Sequence, residues 1–84
     1  GMIYKVYSNA EFESESLKFT TKLSQMPTKG LGLTKRLLNN SYISSLDEQL
    51  EMEKKCQGIA GNTKDYSEGV QAFLTKRKPN FKGN

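Results

Sequence analysis

Apolar residues recur three and four positions apart in four successive segments of this sequence. This spacing is typical of residues that share one face of an α-helix. Three of the segments are followed by residues that interrupt or end helices, namely Pro27, Gly61 and Pro79. The sequence therefore predicts an all-α fold of about four short helices joined by short loops.

Capping residues mark the starts of the first two helices. Ser8 is followed three residues later by Glu11, which fits a capping box, in which the two side chains satisfy backbone N–H groups at a helix start. Thr28 can cap a second helix directly after the proline. The predicted helices cover about residues 9–25 and 28–39.

Two glycines, Gly30 and Gly32, lie inside the second predicted helix. Each costs about 1 kcal/mol relative to alanine in a helix interior. We therefore expect another part of the structure to approach this backbone closely, most simply through helix packing. The stretch GLGLTK does not match a phosphate-binding loop, because its glycine-to-lysine spacing differs and no strand precedes it.

The third helix has the clearest boundaries. Ser45 and Glu48 form a second potential capping box, and acidic residues in a first turn suit the helix dipole. The predicted helix covers about residues 46–60. Gly61 is expected to end it in a left-handed conformation, which glycine adopts without steric cost.

The fourth helix is predicted to start after Thr63 or Asn62 and to stop at Pro79. These limits put the basic residues at 76–78 in its last turn, where cations stabilise the negative end of the helix dipole by about 0.3–1 kcal/mol. The residues expected to form its packing face are Tyr66, Val70, Phe73 and Leu74.

The organisation of the chain is that of a single helical domain over residues 1–84. Residues 2–7 alternate like a strand but have no second strand to pair with, so we expect an extended lead-in. With 35% hydrophobic residues and a mean hydropathy of −0.71, the core is expected to be small and marginal without a partner surface. No apolar run is long enough to cross a bilayer, and the N-terminus lacks the layout of a signal peptide.

Catalytic and metal-binding residues are not identifiable in this chain. It contains one cysteine, Cys56, and no histidine, which excludes an internal disulfide and the usual zinc ligand sets. A nucleophilic cysteine would need a neighbouring base, so we expect Cys56 to be a buried structural thiol. A single free cysteine also favours a reducing, cytoplasmic setting.

The net charge of +4 is concentrated at one end of the chain. Four of the 13 basic residues are Lys76, Arg77, Lys78 and Lys82, and the nine others are matched in number by the nine acidic residues. A nucleic-acid-binding domain normally spreads lysine and arginine over a face or a groove. The distribution therefore favours a single local anion contact, and no nucleic-acid or membrane partner is expected.

The order of motifs resembles the C-terminal segment of the enoyl-CoA hydratase/isomerase family, the crotonases. The resemblance extends over essentially the whole chain, from GMIYKV, which is similar to the last strand leaving the family's core. Its most specific parts are Pro27-Thr28 with Thr34-Lys35, then Thr63-Lys64-Asp65-Tyr66, Glu68-Gly69-Val70, Ala72-Phe73-Leu74, Lys76-Arg77, Pro79, Phe81 and Gly83.

This resemblance implies that a catalytic core of spiral turns, which holds the oxyanion hole and the acidic catalytic residues, lies outside this segment. The segment itself resembles the helical trimerisation domain, which in the family contributes to trimers or hexamers. The family's adenine and phosphate contacts match Phe73 and Lys76, and Arg77, Lys78 and Lys82 are expected to add positive potential. CoA enters as part of the acyl-CoA substrate, so no separate cofactor is expected.

Within the family, LGLTKRLLN, SLDEQLEME and DYSEGVQAFLTKRKPNFKG are most similar to the branch that isomerises ring-epoxide-CoA in phenylacetate breakdown. A position that is aromatic and lines the acyl pocket in classical hydratases falls at about Gln57. This departure disfavours a straight-chain fatty enoyl substrate.

Two other hypotheses remain open from the sequence. The first is that the chain is a stand-alone helical adaptor or a module that binds a phosphate ligand, and the second, which the charge distribution disfavours, is that its basic tail binds nucleic acid. Four cations give a slope of at most about −3.6 for the logarithm of the binding constant against the logarithm of the salt concentration on duplex DNA, which is weak for such a role. By itself, without the remainder of a family-length enzyme, the segment is expected to be catalytically inactive.

Overall fold

Four α-helices form the framework of the protein in the computed structural model, which describes residues 1–84 and contains no strand. The helices are α1 (Asn9–Ser24), α2 (Thr28–Asn40), α3 (Leu46–Gly61) and α4 (Lys64–Leu74). The all-α prediction is confirmed, and residues 1–8 form no regular secondary structure. No helix has both the length and the apolar character that a bilayer-spanning segment requires.

The starts of α3 and α4 follow the predicted capping chemistry. The Glu48 backbone N–H donates to Ser45 Oγ at 3.3 Å, and the Ser45 N–H donates to Glu48 Oε2 at 2.8 Å. The Ser45 N–H and the Ser45 hydroxyl both donate to the Glu48 carboxylate, and these two bonds lower the pKa of Glu48 below its usual value. At α4, Thr63 is the cap, and its Oγ1 accepts from the Tyr66 N–H at 3.0 Å.

Three predicted caps are wrong in detail. The Ser8 hydroxyl donates to the Glu11 carboxylate at 2.6 Å and accepts nothing from the α1 backbone. Thr28 is already helical, and Pro27 occupies the cap position of α2. Gly61 is also helical, because the side chain of Asn62 and the backbone and hydroxyl of Thr63 donate to the last free carbonyls of α3, at Gly58 and Ala60.

The fourth helix ends at Leu74, earlier than predicted. Lys76 adopts a left-handed backbone conformation, with φ of 53°. The Lys76 N–H donates to the Phe73 carbonyl at 3.2 Å and the Arg77 N–H donates to the Ala72 carbonyl at 3.0 Å, which together form a Schellman motif. The basic residues 76–78 therefore lie beyond the helix and not in its last turn, so the prediction of a cationic helix end is wrong.

Very little of the chain is buried. The apolar core consists of Leu33, Cys56 and Ala72, and the helix contacts are those of α2 with α3 and of α3 with α4. The burial expected for Cys56 is confirmed. The Cα radius of gyration is 16.0 Å, whereas a compact domain of this length has about 12 Å. The helices thus form an open array with a minimal internal core.

Most apolar helix faces are exposed. No residue of α1 is buried, and its aromatic contact is a stack of Phe19 on Tyr4 with ring centroids 5.3 Å apart. The predicted packing face of α4 is also exposed, because no element of this chain lies over it; its members are Tyr66, Val70, Phe73 and Leu74. A Cβ atom added at Gly30 or Gly32 would meet nothing within 4 Å, so the close approach predicted there is not made within this chain.

Candidate functional site

The C-terminal tail, residues 77–84, folds back along α4 and is held at the start of that helix by Asp65. The carboxylate of Asp65 accepts from the backbone N–H groups of Lys82 and Gly83 at 2.7 and 2.8 Å. The Asp65 N–H, one of the free donors of the first helical turn, donates to the Asn84 carbonyl at 2.9 Å. Asp65 is 3% exposed, so these bonds satisfy a carboxylate that is shielded from water.

One turn further along α4, Glu68 holds the start of the tail. Arg77 donates to the Glu68 carboxylate through both terminal nitrogens, at 2.6 and 2.8 Å, and the Asn80 N–H donates to it at 2.8 Å. The bond from Arg77, followed by the bond from Asn80, lowers the pKa of Glu68 to about 2. The same pair raises the pKa of Arg77. The Arg77 guanidinium is therefore already engaged by a carboxylate.

Two small residues let the tail lie close to its neighbours. A Cβ atom on Gly69 would lie 3.5 Å from the Phe81 ring, so the ring packs directly over this part of α4. Gly83 has φ of +78° and a Cβ there would lie 2.6 Å from Thr28 Oγ1. The tail thus bridges the beginnings of α4 and α2.

An apolar groove of about 440 Å³ lies beside the tail. Its walls come from the starts of α2 and α4, the exposed face of α4 and the tail, and they include Pro27, Gly30, Tyr66, Val70, Phe73 and Phe81. Lys29 supplies the one basic side chain of the wall. The groove is therefore suited to an apolar occupant, with one cation available.

The predicted site residues fall into two groups. Phe73 is 83% exposed and lines the groove, and Lys76 follows it at the left-handed turn. Lys76, Lys78 and Lys82 are exposed and make no ion pair, so their ammonium groups are free to meet an anion. Lys76 and Lys78 follow the end of α4, whereas the Lys82 backbone is held at its start by Asp65. Arg77 differs from them, because Glu68 neutralises it.

The carboxylates that organise this end, Asp65 and Glu68, were not singled out for this role from the sequence. They lie three positions apart on α4, and together they provide the acidic partners that hold the tail. A signal was present in the sequence. Acidic residues early in a helix, followed by a basic segment containing Pro79 and Gly83, favour a chain reversal closed by an ion pair and by backbone hydrogen bonds to the carboxylates.

The groove wall contains one acidic side chain, that of Asp65, and no cysteine. No three side chains of the histidine, cysteine, aspartate and glutamate types are placed to hold a metal ion. Cys56 of α3 is buried, and Gln57 beside it is exposed. The arrangement can bind an anion and an aromatic or apolar group, and the one carboxylate of the groove wall, that of Asp65, accepts hydrogen bonds from the backbone N–H groups of the tail.

Comparison with known proteins assigns the chain to a family. The family model for enoyl-CoA hydratase/isomerase matches residues 1–84. A 1,2-epoxyphenylacetyl-CoA isomerase of Escherichia coli (strain K12) is 41% identical over 83 residues, which cover 99% of this chain and 32% of that protein. A probable enoyl-CoA hydratase of Rhodobacter capsulatus is 32% identical over 83 residues and is likewise matched over 32% of its length.

A solved structure gives the same result for the fold. The enoyl-CoA hydratase of Geobacillus kaustophilus HTA426 superposes with a TM-score of 0.88 at 29% identity, over 94% of this chain and 30% of that one. The chain thus spans about a third of the length of the relatives that it matches. The present chain belongs to the enoyl-CoA hydratase/isomerase family.

Proposed function

We propose that this chain is the C-terminal helical region of an enzyme that acts on acyl-CoA thioesters, and that it supplies subunit contacts and part of the CoA site. The observation that carries the proposal is the 41% identity over 99% of the chain to one third of a 1,2-epoxyphenylacetyl-CoA isomerase. In this proposal the catalytic groups lie in the other two thirds of the enzyme.

The CoA contact is supported by the chemistry of the end of α4. CoA presents an adenine ring and several phosphate charges. Phe73 offers a ring that is 83% exposed, and Lys76, three residues later, has a free ammonium group. Aromatic stacking on a nucleobase contributes about 1–3 kcal/mol, and lysine binds phosphate as a point charge. Lys82 adds positive potential, whereas Arg77 adds little because of its pairing with Glu68.

The subunit contacts are supported by how little the chain buries by itself. Five of 84 residues are buried, and the exposed apolar residues include Phe12, Leu17, Leu38, Ile43, Leu46 and Leu50. Burying a side chain of this kind stabilises a protein by about 1.5–3 kcal/mol, so this surface favours docking on other parts of a trimeric or hexameric enzyme. The same observation disfavours a stand-alone adaptor, which would have to leave that surface in water.

The relatives support a proposal for the reaction subtype. Identity is 41% with the epoxyphenylacetyl-CoA isomerase and 32% with the probable hydratase of R. capsulatus. The resemblance to the family also puts the aromatic position of classical hydratases at about Gln57, and this difference is a second argument against a straight-chain enoyl substrate. We therefore propose an isomerase of a ring-epoxide-CoA in phenylacetate metabolism, in the cytoplasm, over a hydratase of fatty enoyl-CoA.

A chimera tests this proposal. The third of the E. coli isomerase that this chain matches is replaced by residues 1–84, and isomerisation of 1,2-epoxyphenylacetyl-CoA is followed together with the oligomeric state. We expect an active oligomer, in which Phe73→Ala raises KM with a smaller change in kcat, because the ring contacts a part of the substrate remote from the reacting atoms.

The matched control is Phe12→Ala, which removes an exposed aromatic ring of α1 that the proposal does not place at the CoA site. A chimera that folds and assembles like the parent but lacks activity would contradict the proposed function.

A further inference from the structure

We propose that Glu68 is a positioning residue for the anion site, because its bonds to Arg77 and Asn80 fix the tail and the left-handed turn at Lys76. This inference rests on the proposed function, since it concerns how the same site is held in its binding geometry. Glu68 itself makes no contact with the ligand in this scheme.

The tail is anchored along one face of α4. Four residues of α4 have the spacing of a single helix face, and each of them either contacts the tail or is buried beside it: Asp65, Glu68, Gly69 and Ala72. Ala72 is 1% exposed. The tail thus runs antiparallel to the helix, from the carbonyl of Ala72 to the amide of Asp65.

The turn at Lys76 depends on this anchoring. A residue with a Cβ atom pays about 1–2 kcal/mol for a left-handed conformation, so Lys76 keeps φ of 53° only while its surroundings enforce it. The two backbone bonds of the Schellman motif act on one side of the turn. The bidentate ion pair of Arg77, the next residue, with Glu68 acts on the other.

The charge of Glu68 allows an experiment to distinguish a positioning role from a purely electrostatic role. Lys82 lies near enough for its charge to lower the pKa of Glu68, so the carboxylate also offsets part of the positive potential at this end. If Glu68 acted only through its charge, its neutralisation would strengthen anion binding. If Glu68 positions the turn, neutralisation weakens anion binding, so the two roles predict opposite signs.

The test uses the 84-residue chain labelled with ¹⁵N and titrated with adenosine 3′,5′-bisphosphate, which carries the base and the phosphate chemistry of the proposed site. We expect shifts at Phe73 and Lys76 in the unsubstituted chain. Glu68→Gln should weaken binding roughly 5-fold, because it removes a charge-assisted bidentate pair. The ¹⁵N heteronuclear NOE values of residues 80–84 should fall while the helical circular dichroism stays constant.

Arg77→Lys is the second variant, since it conserves the net charge and loses the bidentate geometry. It should weaken binding in the same direction. Glu13→Gln is the matched control, because it makes the same charge change at an exposed, unpaired glutamate of α1. This control should leave both affinity and tail order unchanged.

The outcomes separate the two claims. Tighter binding by Glu68→Gln, or unchanged affinity of Arg77→Lys, overturns the positioning role while leaving the proposed site intact. If the unsubstituted chain shows no shifts, even at 10-fold the ligand concentration used for the variants, the result counts against the CoA site and overturns the ligand part of this inference. In that case the NOE values still decide whether Glu68 orders the tail.

Discussion

Replacement of Lys76 by glycine should make the end of α4 more stable and the proposed anion site weaker. Lys76 occupies the left-handed position of a Schellman motif, with φ of 53°. A Cβ atom destabilises this conformation by about 1–2 kcal/mol. Glycine also makes the unfolded chain more flexible, which lowers the free energy of unfolding by about 0.4–1 kcal/mol and offsets part of this gain. The net expectation is a gain of about 0.5–1 kcal/mol.

Amide hydrogen exchange at the end of α4 measures this gain locally, without requiring the open array to unfold in one step. The amides of Lys76 and Arg77, which close the motif, should exchange roughly 2- to 5-fold more slowly when residue 76 is glycine. Lys76→Ala is the control, because alanine also lacks the ammonium group but keeps the Cβ atom. In Lys76→Ala, the opening free energies obtained from exchange of these amides should lie within about 0.5 kcal/mol of those in the unsubstituted chain.

Both variants should lose the same share of affinity for adenosine 3′,5′-bisphosphate, because both lack the Lys76 ammonium. Stability and binding then separate, with a gain in stability in the glycine variant alone. Faster exchange in Lys76→Gly than in Lys76→Ala would refute the reasoning, since it would show that the turn does not require a left-handed residue.

Three further predictions concern the tail and the helix starts. Gly83→Ala should destabilise the docked tail by about 1–2 kcal/mol, because φ is +78° and the new Cβ atom would lie 2.6 Å from Thr28 Oγ1. Gly58→Ala, in open space within α3, should instead stabilise that helix by up to about 1 kcal/mol. Hydrogen exchange of the Gly83 amide and of the α3 amides checks both expectations. The pKa of Glu68 is lowered from 4.5 to about 2, so its contribution to tail order should be complete above about pH 4.5 and lost as the pH falls toward 2. NMR protection of the Asn80 amide should follow that loss, and a Glu68→Gln chain that shows the same acid step would contradict the assignment. Thr63→Ala should destabilise α4 by about 0.5–2 kcal/mol through loss of the bond from the Tyr66 N–H, measured as faster exchange of that amide; equal exchange in both chains would show that Thr63 is not the cap.

Local chemistry made much of the fold predictable. Ser45 with Glu48 and Thr63 with the Tyr66 amide satisfy helix-start donors within a few residues, so no distant contact is needed to place them. The four helices and the buried Cys56 follow from spacing and composition for the same reason.

The end of α4 was not predictable in the same way. Helical spacing continues through the basic residues up to Pro79, but the chain leaves the helix after Leu74. The tail instead donates hydrogen bonds to Glu68 from Arg77 and Asn80, and to Asp65 from Lys82 and Gly83. These partners are 9 to 18 positions apart in sequence. Periodicity contains no information about such pairs.

The packing faces were identified as apolar but not as exposed. Tyr66, Val70 and Phe73 have the spacing of a buried face, and the structure leaves them in water because nothing in residues 1–84 lies over them. Amphipathicity says that a helix side prefers an apolar neighbour, and it does not say which chain segment or subunit supplies that neighbour. The same limit applies to Gly30 and Gly32.

The central claim is that these apolar faces are completed by the rest of a family-length enzyme. Amide hydrogen exchange of α1 tests it most directly, compared between the 84-residue chain and the chimera with the E. coli isomerase. No residue of α1 is buried in this chain, so its amides should exchange near the rate of an unprotected peptide in isolation and become protected in the chimera. Equal, strong protection of α1 in both proteins would contradict the claim.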